Sequence, residues 1–187
     1  MKIKLNNVRL SFPALFTPKA GADGGAAKFS ASFLLDPNDP KHAATIKEIN
    51  AGIDEVGGAK WGAKAKVTLT GLRAQDRVAL HDGNTKAQFQ GYEGMMFVSC
   101  SSATRPLVID RDRSPLSEAD GRVYAGCYVN ATIELWTQDN SFGKRVNAQV
   151  LAVQFAGDGD AFSAGGIGSV EDFDDLAGEN IDAESLT

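Results

Sequence analysis

Lysine and arginine are missing after Arg145. All 19 basic residues lie in 1–156 beside 15 of the 24 acids, and 157–187 carries the other nine. The net charge of −5 thus conceals a body of about +4 and a C-terminal stretch of −9. That stretch is built mainly from Gly, Ala, Ser and Asp, which bury too little to offset the entropy of ordering, so it is expected to be disordered. Cysteine is nearly absent: Cys100 and Cys127 form no CxxC pair and sit in apolar strand patterns, which points to buried free thiols rather than a disulfide or metal site. Two histidines, His42 and His81, are too few and too far apart for a metal or catalytic cluster, and no cofactor is expected. No apolar run approaches the ~18–20 residues of a membrane span. The opening Met1-Lys2-Ile3-Lys4-Leu5 lacks the apolar region of a signal peptide, so a cytoplasmic protein without membrane contact is expected. Nucleotide-binding glycine loops, HExxH and GxSxG are all missing, which argues against an enzyme.

What is present reads as one β-rich domain over 1–156 followed by the tail 157–187. Residues 3–10 form a strand leading into the aromatic corner Phe12-Pro13-Ala14-Leu15-Phe16. Residues 28–35 alternate, with Phe29, Ala31, Phe33 and Leu35 on one face and Ser30 and Ser32 on the other. Asp39 suits a helix N-cap and Pro40 the first helical position. Ile46, Ile49, Ile53 and Val56 then give a single apolar stripe that Gly57-Gly58 should end. Strands follow around 66–72 (Val67, Leu69 and Gly71 inward), over 95–102, and as a hairpin of 123–136 with 144–155. Strands joined by long polar loops around one helix fit a mainly β, five-stranded Greek-key barrel of the oligonucleotide/oligosaccharide-binding (OB) type.

The segment 123–136 carries the clearest chemical signal. Its odd positions, Val123 to Leu135, form a complete core face, which puts Tyr124, Tyr128 and Trp136 on the other. Exposed rings on a sheet stack the bases of a single strand without regard to sequence. Packing under loops, against neighbouring strands or against a second subunit is the alternative for each ring. Tyr92, between Gly91 and Gly94, is expected in an accessible turn, and Trp61 lies among Lys60, Lys64 and Lys66, where stacking and phosphate contact would combine. Arg73 and Arg105 have no acid immediately beside them and are expected to reach phosphates. The arginines of 111–122 alternate with acids and suit local ion pairs. Asp110 and Asp112 are the only acids offering a metal-dependent nuclease, and that support is weak.

Taken in order, Asn7-Val8-Arg9-Leu10-Ser11-Phe12-Pro13-Ala14-Leu15-Phe16, Gly91-Tyr92-Glu93-Gly94, Arg105-Pro106 and Val123-Tyr124-Ala125-Gly126-Cys127-Tyr128-Val129-Asn130 resemble a family of bacteriophage single-stranded-DNA-binding proteins. That family is related in fold to the single-stranded-DNA-binding protein of T7-type phages. The resemblance spans essentially the whole chain. It implies an OB barrel that coats single strands in phage DNA replication and recombination. It also implies an acidic tail that competes with DNA and contacts phage or host replication and recombination proteins. T7-type tails end in an aromatic residue. This chain ends Glu184-Ser185-Leu186-Thr187, and its acidic-aromatic segment, Asp172-Phe173-Asp174-Asp175, is internal, so that segment is the expected docking element. A homodimer and a virion structural protein, in which the exposed rings form subunit contacts, stay open.

Overall fold

The computed structural model describes residues 1–21 and 24–163. Its elements are β1 (Lys2–Lys19), β2 (Lys28–Leu35), α1 (Pro40–Trp61), α2 (Ala65–Ala74), β3 (Leu80–Asp82), β4 (Met96–Ser102), β5 (Leu107–Ile109), β6 (Tyr128–Asn140) and β7 (Gly143–Gly157). The sheet runs β3-β4-β2-β1-β6-β7-β5, and a parallel pairing of β4 with β7 (Cys100 opposite Ala148) closes it. β1, β2, β4, β6 and β7 therefore form a closed five-stranded barrel, with β3 and β5 as short flanking strands. This is the OB architecture expected from the sequence.

β1 serves two partners because it bends. Its first half pairs with β6 (Lys2 opposite Glu134, Arg9 opposite Tyr128) and its second with β2 (Arg9 opposite Leu34, Lys19 opposite Lys28). The register slips between Leu5 and Val8 and again between Ser11 and Ala14, and the left-handed residues Asn7 and Phe12 sit at these two slips. Bulges of this kind bend a strand and sharpen its twist, which a small barrel needs to turn its corners.

The barrel core follows the alternation of β6. Cys127, Val129, Ala131, Ile133 and Leu135 are all buried, facing Leu5, Val8 and Leu10 of β1 and Val146, Ala148 and Val150 of β7. Both cysteines are free, and burial pushes the Cys100 and Cys127 thiols above their ordinary value. α1 plugs one end with Ile49 and Ile53. Its N-cap is Asp39, whose carboxylate accepts from the Lys41 and His42 N–H groups, with Pro40 at the first turn. Those bonds hold the Asp39 carboxyl below the usual carboxylate range.

Three sequence expectations fail here, the first at the start of β6: 123–127, read as strand, hold a turn at Ala125-Gly126 with Gly126 at φ +103°, and the strand begins at Tyr128. α1 runs past Gly57-Gly58, because Gly57 is a contact and not a stop: a Cβ there would collide with the Leu69 side chain. The strand expected over 66–72 is instead α2. Ala65, Leu69 and Leu72 form a helical stripe buried against α1, and Val67, read as inward-facing, is 79% exposed. The short period-2 pattern Val67-Leu69-Gly71 and the helical spacing of 65, 69 and 72 coexist in this segment, and packing selects the second.

Candidate nucleic-acid interface

Cross-strand register defines the outer face of the barrel row by row. Arg9, Leu34, Phe97 and His81 are successive partners across β1, β2, β4 and β3, and Tyr128 of β6 extends the row on the far side of Arg9. The next row is Ser11, Ser32 and Ser99, and the one after it Ala14, Ser30 and Ser101. The first row is covered: Tyr92 packs on Leu34 and Phe97, 2% exposed, and its hydroxyl donates to Ser11 Oγ at 3.1 Å. Ser11 and Ala14 of β1 are buried at the end of their rows, Ser11 under Tyr92, whereas Ser30, Ser32, Ser99 and Ser101 of β2 and β4 reach the surface. They form a flat floor of short polar side chains, and beside them a recess of about 320 Å³ is lined by Lys19, Lys28, Ser30 and Ser101.

The five expected stacking residues do not form one site. Tyr92 is buried, which corrects the expectation of an accessible ring: the glycines around it let the 83–95 loop fold its tyrosine down onto the sheet. Tyr128 lies on the outer side of β6 as alternation requires, whereas Tyr124 precedes the strand, before the turn at Ala125-Gly126, and packs against the edge of the barrel core; the chain itself covers both. After Gly157 it turns back, and residues 158–163 pack along the start of β6. The Tyr124 hydroxyl donates to Asp158 (2.9 Å) and accepts from the Gly159 N–H (3.1 Å), and the Phe162 N–H donates to the Ala125 carbonyl (2.9 Å). The Gly159 bond favours the Tyr124 phenolate. Desolvation and the Asp158 carboxylate outweigh it, and the phenol ends above its ordinary value.

Arg9 is the hub of this docked segment. Its Nε donates to the Gly126 carbonyl (3.0 Å) and its Nη2 to the Asp160 carbonyl (2.6 Å), while the guanidinium lies 4.3 Å from the Phe162 ring centre and 5.9 Å from that of Tyr128. Gly126, at φ +103°, leaves the space: a Cβ there would meet the Asp160 carbonyl.

Trp136 is 44% exposed on the outer side of the β6–β7 hairpin, opposite Asn147. It lies eight residues from Tyr128, about 26 Å along the strand. Trp61 reaches the same hairpin from the inner side, donating Nε1–H to Asp139 (2.9 Å) beneath the Lys144 ammonium, 5.6 Å from the ring centre. It is thus an anchor between α1 and the hairpin.

Among the expected phosphate contacts, Arg73 is engaged. Its Nη1 pairs with Asp54 at 2.8 Å and its Nη2 donates to the Asn50 carbonyl, tying α2 to α1. The acid that sequence proximity did not show comes from the neighbouring helix. Arg105 is exposed, with its guanidinium 5.6 Å from the Phe16 ring centre and no carboxylate partner among the described residues. Lys60, Lys64 and Lys66 are exposed around the α1–α2 junction, away from the serine rows. Asp110 pairs with Arg122 (3.2 Å) and Asp112 accepts from the Ser114 N–H (2.9 Å), so both acids considered for a metal have local partners. Asp172, Phe173, Asp174 and Asp175 lie outside the described residues.

Three further residues belong to this face: Arg9 and Phe12, which the sequence offered only within the family motif, and Phe89, which it did not single out. Phe12 is 55% and Phe89 39% exposed, and their rings meet edge to face at 4.9 Å. Phe89 did leave a signal, as a lone aromatic between Gln88 and Gln90 in a polar stretch. Phe12 was legible only through the motif, because its exposure follows from the bulge.

The chain is 51% identical over 180 residues to a protein designated p50 of Acyrthosiphon pisum secondary endosymbiont phage 1, covering 95% of each. The solved single-stranded DNA-binding protein from bacteriophage Enc34 in complex with ssDNA is 32% identical, with a TM-score of 0.76 over 87% of this chain and 89% of that one. The single-stranded DNA-binding protein gp2.5 of bacteriophage T7 matches at 12% identity and a TM-score of 0.55, with 97% of each chain covered, which shows a shared fold. A family model built on the ssDNA-binding protein of Enterobacter phage Enc34 matches residues 1–185, and the chain belongs to that family.

Proposed function

We propose that this protein binds single-stranded DNA without sequence preference and coats it during phage DNA replication and recombination in the host cytoplasm, without catalysing a reaction. The observation that carries this reading is the uncovered serine floor of β2 and β4, flanked by Lys19, Lys28 and Arg105. In OB barrels the face of the second and third strands is where oligonucleotides lie. Short side chains let a strand approach the sheet, and the cations at its margin supply the salt-dependent part of the affinity. Family membership and the DNA complex of the Enc34 protein support the same ligand.

In this reading 1–156 is the binding unit and 157–187 the regulator. The acids of 164–187 compete with DNA for the basic margin, and Asp172, Phe173, Asp174 and Asp175 dock replication or recombination partners. Phe173 lies ten residues beyond Ser163, so the chain can carry it at most about 35 Å from that point, enough to span a small barrel.

Titrating the protein with an unlabelled oligothymidylate and following tryptophan emission tests the reading. Quenching that fades with added salt and that duplex DNA competes for poorly is the expected result. Absence of any salt-sensitive response to single strands would refute it.

A further inference from the structure

Phe12 is hard to explain as a structural residue. It occupies the left-handed region at φ +45°, a conformation strained for a bulky side chain and free for glycine, and yet it presents an exposed ring. Its neighbour Phe89 comes from a separate loop to meet it. Both rest on buried Tyr92, with ring centres 6.2 Å and 5.7 Å from it, and the Tyr92 hydroxyl fixes that support to Ser11. Two exposed rings are therefore held on a rigid third. Beside them opens a cavity of about 410 Å³, bordered by Ser11, Phe12, Gln88, Phe89, Gln90 and, on its far wall, Phe162.

We propose that this cavity is a slot for one unstacked nucleobase, stacked on Phe12 and Phe89 and met at its edge by the Gln88 and Gln90 amides. The inference rests on the single-stranded-DNA reading and deepens it by locating a base. Three observations select a base over another occupant. The slot lies beside the serine floor, since Ser11, which lines it and is itself buried under Tyr92, is the cross-strand neighbour of Ser32, and Ser32 of the exposed Ser99. Its apolar walls are aromatic faces and edges, which suit a flat π-system. Its rim consists of amides, which offer both a donor and an acceptor and so can serve any of the four bases. The Gln90 Oε1 is already held by the Ser163 N–H and hydroxyl (3.1 and 3.2 Å), which leaves the amide NH2 to face the ligand.

The test uses the full chain, its Phe12→Gly and Phe89→Ala variants, and a fluorescein-labelled dT15 followed by anisotropy across a salt series. Phe12→Gly removes the ring while relieving the backbone. Its thermal midpoint should stay level or rise as its affinity falls about tenfold, a combination that a purely structural role does not give. Phe89→Ala should lose a similar factor. Neither should change the slope of affinity against salt, because no phosphate contact is lost. An oligonucleotide carrying 5-iodouracil should photocross-link to Phe12 or Phe89 in the wild-type chain. Wild-type affinity in both variants, with cross-links elsewhere, would overturn the slot while leaving single-strand binding intact. Failure of the wild-type chain to bind dT15 would instead remove the underlying reading. Loss of a dimer in Phe12→Gly with unchanged affinity would assign the rings to a subunit contact and overturn the proposal.

Discussion

Two outer surfaces of the same barrel treat aromatic residues in opposite ways. At the start of β6, Tyr128 lies where alternation puts it and Tyr124 sits just before the strand, and the chain covers both with its own residues 158–163. Across β1, β2 and β4 the strands contribute serines, and the exposed rings come from irregular backbone: Phe12 from a bulge and Phe89 from a loop. Periodicity tells which side of a sheet a residue occupies. It does not tell what else the chain lays on that side. The most conspicuous aromatic pattern in the sequence therefore marks the docking place of an internal segment, and on the open surface alternation places the serines but not the exposed rings.

Two truncations separate these surfaces most strongly. Removing 164–187 takes away seven of the nine tail acids but leaves the docked segment in place. Single-strand binding at low salt should tighten, by roughly tenfold if the acids shield two or three phosphate contacts, and stability should not change. Removing 158–187 should tighten binding less, because it also takes away the Phe162 wall of the slot and the Ser163 contacts of Gln90, and it should destabilise the barrel. The half-buried Phe162, its stack on Arg9 and the bonds to Tyr124 are together worth about 1–3 kcal/mol, readable as a lower urea midpoint. Equal stability of the two truncations would show that 158–163 is a loose appendage, and the contrast between covered and open faces would fall with it.

A single substitution just before β6 sharpens the comparison at smaller scale. Tyr124→Phe keeps the ring and removes the hydroxyl shared by Asp158 and Gly159. In the full chain it should cost about 0.5–1.5 kcal/mol of stability with single-strand affinity unchanged. In the chain lacking 158–187 the same substitution should cost nothing, because its partners are gone. A loss of affinity in the full chain would return Tyr124 to the DNA-binding surface.

The parts of the molecule legible in the sequence are those fixed by local periodicity and caps. The core face of β6, the inward residues of β2 and the Asp39-Pro40 start of α1 all follow from neighbours within a turn or a strand. The misread parts depend on distant partners. Gly57 looks like a helix stop until Leu69 is packed on it. Arg73 looks free until Asp54 of another helix reaches it. Tyr92 looks like an exposed turn residue until Ser11, 81 positions earlier, accepts its hydroxyl. In each case the local signal was silent about a distant contact, and at Gly57 that contact also overturned the conformation read from it.

The two tryptophans give the smallest and most local form of the comparison, because they sit on opposite sides of one hairpin. Trp61 is held from within by Asp139, and Trp136 stands outside with no such anchor. The Trp61 indole N–H, followed by the Lys144 ammonium, holds the Asp139 carboxyl below its ordinary value of 3.8. A carboxylate lowered on folding contributes fully above that ordinary value, and its contribution disappears as pH falls through the lower folded one. In a Trp136→Phe variant, which reports Trp61 alone, emission should be flat from pH 7 to about 4 and change below it. Asp139→Asn should abolish the change. A transition near pH 6 instead would point to a histidine and would show that Asp139 does not fasten α1 to the hairpin. Single-stranded DNA should quench Trp136 and leave Trp61 unaffected, so the wild-type chain and the Trp136→Phe variant together assign any DNA-dependent signal to the outer side of the barrel.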